Sequence, residues 1–399
     1  MAEKKVGFTA MTAEGKAGKI PEVGIGMLGY AFMGKAHSNA LTQMPYIFWP
    51  PPARPRLVAM CGRNEEALKE EVNRYGYEKY YTSWHDLIDD KDVDIMINGA
   101  PPNIHPEPCI EAARKGKHIL CEKPLARNSA EAKEMLDAVT KAGVVNLCNF
   151  NYRMIPGVVL ARKLIDDGRL GKIYHFRARY LQEWIADPDF PMVWRLQKDI
   201  AGNGVIGCLG SHIIDLARFL CGEPVAVMSS IRTFIHERPL MNDPSKRGKV
   251  DVDDAFVSTV EFENGAIGTL EGSRFCLGRK NFGEVEINGE KGSLSFDLEN
   301  MNYLHVYFKD EDPQDVVGFH RINVTEAYHP YIEKWWPHGH IIGWENTFVH
   351  SAFNMLNAVV NGEKLAPMVA TFEDGYRTAV ICDAILKSAE SEKKEPVIY

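Results

Sequence analysis

The sequence lacks the devices that hold small secreted domains together. Its eight cysteines, at 61, 109, 121, 148, 208, 221, 276 and 382, form no Cys-x-x-Cys pair. No His/Cys cluster has zinc spacing, so neither a disulfide framework nor a metal site is expected. Cysteines scattered among apolar residues act as small hydrophobes and suit a reducing compartment. There is no long basic run, and the formal net charge is -8. Such a surface repels phosphate backbones, which argues against nucleic acid as a partner. The start of the chain has no continuous apolar core of the signal-peptide kind. No apolar run reads as long enough to span a bilayer. The expected location is the cytoplasm, without a membrane partner. Internal repeats and low-complexity tracts are also missing.

What is present is the balance of a globular protein, 45% hydrophobic and 25% charged over 399 residues. That length exceeds one ordinary core, so two domains are expected. The first half alternates short apolar runs with amphipathic, charge-rich segments. Runs at 21–26, 56–61, 93–98, 117–121 and 144–148 read as strands. Segments at 31–43, 64–75, 104–115 and 129–142 read as helices. This predicts a doubly wound parallel sheet with both faces covered, an α/β domain of Rossmann type. The second half carries a helix at 156–167 and longer strand-like runs at 173–184, 225–234, 255–262, 266–275, 283–287 and 294–297. Asn264-Gly265 marks a hairpin. Helices at 344–360 and 372–387 close the chain. This predicts an α+β domain with a large open, mostly antiparallel sheet. The expected division is an extension at 1–20, a dinucleotide-binding domain at 21–150, and a substrate and oligomerisation domain at 151–399. The five prolines from Pro45 to Pro55 read as a rigid surface loop.

The first strand runs into Gly24-Ile25-Gly26-Met27-Leu28-Gly29, a Gly-x-Gly-x-x-Gly match between a strand and a helix. Such glycines allow a tight turn, backbone approach to a pyrophosphate, and close helix–strand packing. The helix opening with Phe32 and Met33 would offer free N–H groups to the phosphates. Gly24, Gly26, Gly29, Phe32 and Met33 are thus expected on an NAD(P) cofactor. The second strand ends Gly62-Arg63-Asn64, with no Asp or Glu for a ribose hydroxyl. Gly62 leaves space and Arg63 offers a positive charge, which favours NADP over NAD. Arg63 could equally open the next helix in solvent.

The fifth strand ends Glu122-Lys123-Pro124, at the carboxyl edge where open α/β sheets place ligands. Upstream, Ala100, Pro101, Asn103 and His105 leave the fourth strand and would wall the nicotinamide. A third cluster, Gly202 to Asp215, opens a helix containing His212. His212 falls among apolar residues, where a lone His more often packs in a core, but a neutral imidazole and an ammonium beside the oxygen suit alcohol oxidation. One takes the hydroxyl proton, and the other stabilises the developing alkoxide.

These motifs together resemble the Gfo/Idh/MocA oxidoreductase family, which includes glucose–fructose oxidoreductase and inositol 2-dehydrogenases. The resemblance covers about residues 22–390. Within the family it is to members acting on anhydro- or keto-sugars. It rests further on Gly34-Lys35-Ala36-His37-Ser38, the Phe48-Trp49-Pro50 loop, Phe150-Asn151-Tyr152-Arg153, Tyr180-Leu181-Gln182-Glu183-Trp184 and Trp194-Arg195. It implies that Lys123 and His212 are catalytic, and that an open C-terminal sheet pairs subunits into a homodimer or homotetramer. Tyr152, Arg153, Gln182, Trp184 and Cys208 would face a polyhydroxylated substrate. Glu122, Trp194 and Arg195 would join the cofactor contacts. One departure stands out: the family's Asp four residues before the catalytic His is Cys208 here. A thiol is a poor substitute for a carboxylate in orienting imidazole. The implied activity is hydride transfer between NAD(P) and a cyclic sugar, anhydrosugar or inositol. The alternatives are a glycoside-cleaving enzyme that recycles NAD, and a non-catalytic NAD-binding sensor.

Overall fold

The computed structural model describes residues 18–309, 311 and 313–399. Residues 1–17 of the expected N-terminal extension lie outside them.

The first half is a six-stranded parallel sheet. Its strands are β1 (Glu22–Leu28), β2 (Arg54–Cys61), β3 (Lys79–Tyr81), β4 (Ile95–Asn98), β5 (His118–Cys121) and β6 (Asn146–Cys148). They run in the order β3-β2-β1-β4-β5-β6, with the reversal between β1 and β4 that creates a ligand crevice. The helices are α1 (Phe32–Ile47), α2 (Glu65–Tyr75), α3 (Trp84–Asp89), α4 (Pro106–Arg114) and α5 (Ser129–Ala142). Local chemistry sets their starts. The Asn64 and Asn128 side chains accept the Ala67 and Glu131 N–H at 3.1 and 3.0 Å, capping α2 and α5. β3 and α3 are too short to carry a period, and the sequence did not announce them.

The second half opens with α6 (Pro156–Asp166) and β7 (Ile173–Leu181), and continues through α7 (Lys198–Ala201) to α8 (Ser211–Cys221). Next come β8 (Pro224–Arg232), a ribbon of β9 (Glu237–Leu240) and β10 (Asp243–Lys249), β11 (Ala255–Phe262) and β12 (Ile267–Ser273). β13 (Phe282–Gly289), β14 (Gly292–Asp297), β15 (Tyr303–Phe308) and β16 (His320–Asn323) follow. The chain ends with α9 (Asn346–Asn361), α10 (Phe372–Ser391) and β17 (Glu395–Pro396). The nine-stranded sheet has the order β16-β15-β14-β13-β7-β12-β11-β8-β17. Its pairings are antiparallel except β7 with β12. The Asn264-Gly265 hairpin joins β11 to β12, where the Gly265 N–H donates to the Phe262 carbonyl at 3.0 Å.

Burial alternates along β11 and β12, so one face packs and the other stays open. The packed face meets α6, α8 and α10, and its core includes Phe176, Phe256 and Leu270, each 0–1% exposed. Each such side chain contributes about 2–3 kcal/mol through burial.

Two features differ from the sequence expectation. The proline loop is anchored rather than superficial: α1 continues through Pro45, and Phe48, Pro51 and Ala53 are buried. Phe48 stacks on Phe353 of α9 with centroids 4.2 Å apart. Further, the run Lys198–Cys221 is apolar and long enough to cross a bilayer, yet 94% of its apolar stretch is buried in the fold. It is the core helix against which the second sheet closes.

Candidate active site

β1 ends at Leu28, and the chain turns at Gly29 with φ of 100°. A side chain there would sit 3.0 Å from the carbonyl carbon and oxygen of Gly99. α1 then begins at Phe32 with no side-chain cap and no acidic residue in its first turn. A Cβ on Gly34 would clash with the Gly29 carbonyl oxygen, so helix and turn are in close contact. Gly29-Tyr30-Ala31-Phe32-Met33-Gly34 therefore supplies the tight turn, the open helix N-terminus and the close packing that fit a pyrophosphate. This corrects the sequence expectation. Gly24 and Gly26 lie inside β1, where a Cβ would strike the Asp92 carbonyl or the Val93 and Leu87 side chains. Of the three glycines expected on the cofactor, Gly29 is the one at the turn.

Between the two sheets lies a cleft of about 630 Å³. One wall is Ala31, Phe32, Met33, Gly99, Ala100, Pro101 and Pro102, continued by Glu122, Lys123 and Pro124. The other carries Tyr152, Tyr180, Gln182, Trp184, Trp194, Arg195 and Asn281. The floor comes from Asn203 to His212, and Asn151, Trp344 and Phe348 complete the lining. Lys123 and His212, from different halves of the chain, share this space.

Lys123 follows β5, and its Nζ donates to the Cys208 carbonyl at 3.0 Å. That carbonyl belongs to a π-helical segment, Ile206–Gly210, which leads into α8. Such wide turns disturb the ordinary helical ladder and recur at functional sites. His212 is 5% exposed and stacks on Tyr152, with centroids 4.2 Å apart and planes 22° apart. Its Nδ1 is buried without a hydrogen-bond partner. Burial first, and the Lys123 charge second, hold its pKa well below 6.5. The ring is thus neutral at pH 7 and able to take a proton.

Among the described residues lining the cleft, Glu122 is the one carboxylate, and its oxygens are already engaged. One oxygen accepts from His37 Nε2 and Asn149 Nδ2, each at 2.7 Å. Burial alone would raise its pKa, but these bonds and the Lys123 charge hold it below the usual carboxylate range. Glu122 therefore fixes the strand end from which Lys123 projects. Cys208 faces the cleft, as expected, so among the described residues no free carboxylate stands beside the imidazole.

Several expected site residues lie elsewhere. Arg153 is 2% exposed and forms a two-pronged pair with Asp215 at 2.8 and 2.6 Å, with Asp374 at 2.9 Å. It is a core ion-pair residue, not part of the cleft wall. Gly62 is covered by the Tyr30 ring, so the space expected there is filled. Asn64 caps α2, and Arg63 is exposed beyond the cleft. His105 is buried between two loops, its ring nitrogens facing the carbonyls of Ala100 at 2.8 Å and Pro124 at 3.0 Å. Asn103 is not among the lining residues.

The sequence also left site residues unassigned: Tyr180, Asn151, Asn203, Asn281, Trp344 and Phe348 line the cleft as well. Tyr180 was findable, since it stands on β7 two residues before Gln182, which follows the strand directly, and both side chains reach Asn281. Asn151 adjoins Tyr152 and Asn203 lies within the Gly202–Asp215 cluster, whereas Asn281, Trp344 and Phe348 arrive by long-range folding.

Two family models match this architecture. One, described as "Oxidoreductase family, NAD-binding Rossmann fold", covers residues 23–150. The other, "GFO/IDH/MocA C-terminal domain", covers 158–295. The chain belongs to the Gfo/Idh/MocA oxidoreductase family. It is 41% identical to levoglucosan dehydrogenase of Pseudarthrobacter phenanthrenivorans over 380 residues, 92% of this chain and 96% of that one. It is 28% identical to myo-inositol 2-dehydrogenase of Thermotoga maritima over 72% of this chain and 78% of that one. Among solved structures, levoglucosan dehydrogenase in complex with NADH and levoglucosan matches with a TM-score of 0.91 at 42% identity. That match covers 95% of this chain and 100% of the other. As a Gfo/Idh/MocA member, the chain is a nicotinamide-dependent oxidoreductase.

Proposed function

We propose that this oxidoreductase moves a hydride between NAD(P) and a hydroxyl or ketone of a cyclic sugar, anhydrosugar or inositol. The observation that carries the proposal is the shared cleft of Lys123, His212 and the uncapped start of α1. A bound nicotinamide supplies the hydride acceptor or donor. Neutral His212 takes the hydroxyl proton. Lys123, held by the Cys208 carbonyl, keeps two N–H groups for the substrate oxygen and stabilises its alkoxide character. Trp184 and Trp194 offer flat faces, and Gln182, Asn203 and Asn281 offer polar edges, as a polyhydroxylated ring requires. The likeness to levoglucosan dehydrogenase along nearly the whole chain supports an anhydrosugar.

The test is a screen of levoglucosan, inositols and related polyols with NAD and NADP, read by nicotinamide absorbance. Reduced cofactor is expected to accumulate with at least one. Turnover of a glycoside without added cofactor or net absorbance change would instead indicate the recycling chemistry.

The choice of nucleotide turns on Arg63. With no carboxylate ending β2, the positive charge of Arg63 favours a 2′-phosphate and hence NADP, although Tyr30 fills the space over Gly62. Arg63→Ala is expected to raise KM for NADP about tenfold and to leave NAD within about twofold.

The open face of the second sheet presents Tyr174, Met228, Val257 and Ile267 on the adjacent strands β7, β8, β11 and β12. Apolar residues grouped on one sheet face favour burial against another copy. A homodimer or homotetramer through this face is part of the proposal. Val257→Lys combined with Ile267→Lys is expected to lower the mass measured by light scattering to that of the monomer.

A further inference from the structure

β13 runs antiparallel to β7 with Phe282 opposite Leu181, so the next residue out, Asn281, falls opposite Gln182. Its amide oxygen Oδ1 accepts two hydrogen bonds, from Tyr180 Oη at 2.8 Å and Gln182 Nε2 at 2.6 Å. The Tyr180 proton is thereby committed. Tyr180 and Tyr152 are 3% and 6% exposed, with their hydroxyl oxygens 2.7 Å apart. The proton in that contact must come from Tyr152. Hydroxyl protons therefore run one way along the wall, from Tyr152 to Tyr180 to Asn281. The Tyr152 oxygen, which the Trp344 and Asn281 side chains also reach, keeps acceptor capacity and no free proton, and its ring lies flat against His212.

We propose that Asn281 is a specificity-determining residue that sets the polarity of this wall. It turns Tyr152 into an acceptor for a substrate hydroxyl next to the carbon being oxidised. The substrate class is then a ring bearing a vicinal pair of free hydroxyls, one giving its proton to His212 and the other donating to Tyr152. The inference rests on the dehydrogenase reading above and refines it. A reversed amide would make Tyr152 a donor beside the imidazole, competing with the substrate for the proton acceptor that oxidation needs.

The experiment uses the full-length enzyme with levoglucosan, or the best polyol of the screen if that is faster, and its monodeoxy and deoxyfluoro analogues. Fluorine accepts weakly and cannot donate. Wild type is expected to lose about 100-fold in kcat/KM with both the deoxy and the deoxyfluoro compound altered beside the reacting carbon. Asn281→Ala should lose most of that discrimination, with the change mainly in KM for the parent. Asn281→Asp keeps both accepted bonds and should retain it. If the fluoro analogue recovers the parent's rate, the wall is polarised the other way and the inference falls. It also falls if Asn281→Ala slows parent and deoxy compound equally, as a purely structural role would. Absence of wild-type turnover with every polyol and both cofactors would overturn the dehydrogenase reading itself, and this inference with it.

Discussion

His212→Ala is expected to lower kcat for polyol oxidation by about 10²–10⁴-fold, the usual contribution of a positioned general base. Cofactor affinity, read by nucleotide fluorescence, should be unchanged, because the imidazole faces Tyr152 and Lys123 rather than the Gly29 turn. Lys123→Met should cost a similar factor, since in the proposed reaction its ammonium stabilises the same oxygen. The pH profile separates this reading from a structural one. Oxidation needs the free base. Burial, then the Lys123 charge, push the His212 pKa well below 6.5, so the free base persists into acid solution. The acid limb of kcat/KM for wild type is therefore expected below pH 6.5, with a flat profile through neutrality. Cys208→Asp places a carboxylate beside the ring and stabilises imidazolium. Its acid limb should move to higher pH. An unmoved limb in that variant would mean that another group titrates.

Arg153→Ala is expected to cost about 3–5 kcal/mol of stability, the range for breaking a buried ion pair by removing one partner. It leaves Asp215 and Asp374 facing only Arg218, which bonds Asp374 at 3.1 Å and Glu223 at 2.8 Å. Protein that remains folded should keep its KM, because Arg153 does not line the cleft. The deficit should also depend on pH. Burial raises the Asp215 pKa to about 6, against the opposing pull of Arg153. Without Arg153 it rises further. The folded variant then holds a proton that the unfolded chain, with an ordinary carboxylate pKa near 4, releases. Acidification through about pH 6 should therefore return part of the lost stability. Denaturant titrations at pH 5 and pH 8 measure it, and an equal deficit at both would refute the assignment.

The parallel half was legible because five of its six strands are short apolar runs between amphipathic segments; the three-residue β3 is not. That Lys123 and His212 would line one cleft was legible because a strand's carboxyl end and a glycine-rich helix start are places where side chains meet ligands. The glycine fingerprint misled for a physical reason. Two overlapping spacings exist, and the literal one falls five residues early, inside β1, whose length decides where the turn begins. The pattern at Gly29, Ala31 and Gly34 hides because Ala31 replaces the middle glycine. Arg153 misled because a cation next to a cleft aromatic looks like a substrate clamp, while its acidic partners, Asp215 and Asp374, are far away in sequence. Asn281 was invisible, since only the register of β13 on β7 brings it opposite Gln182.

The last two helices do not stay with the half that precedes them. α9 lays Val349, Ala352 and Met355 into the core that α1 and the parallel sheet also build. The Cys148 N–H of edge strand β6 donates to the Ala370 carbonyl at 3.0 Å, just before α10. The tail is in effect a clasp that belongs to both lobes. A fragment cut near residue 150 would bare an apolar flank along α1 and an unsatisfied strand edge, and should aggregate. Chimaeras that graft one relative's nucleotide lobe onto another's sugar lobe will need to carry α9 and α10 across with the first.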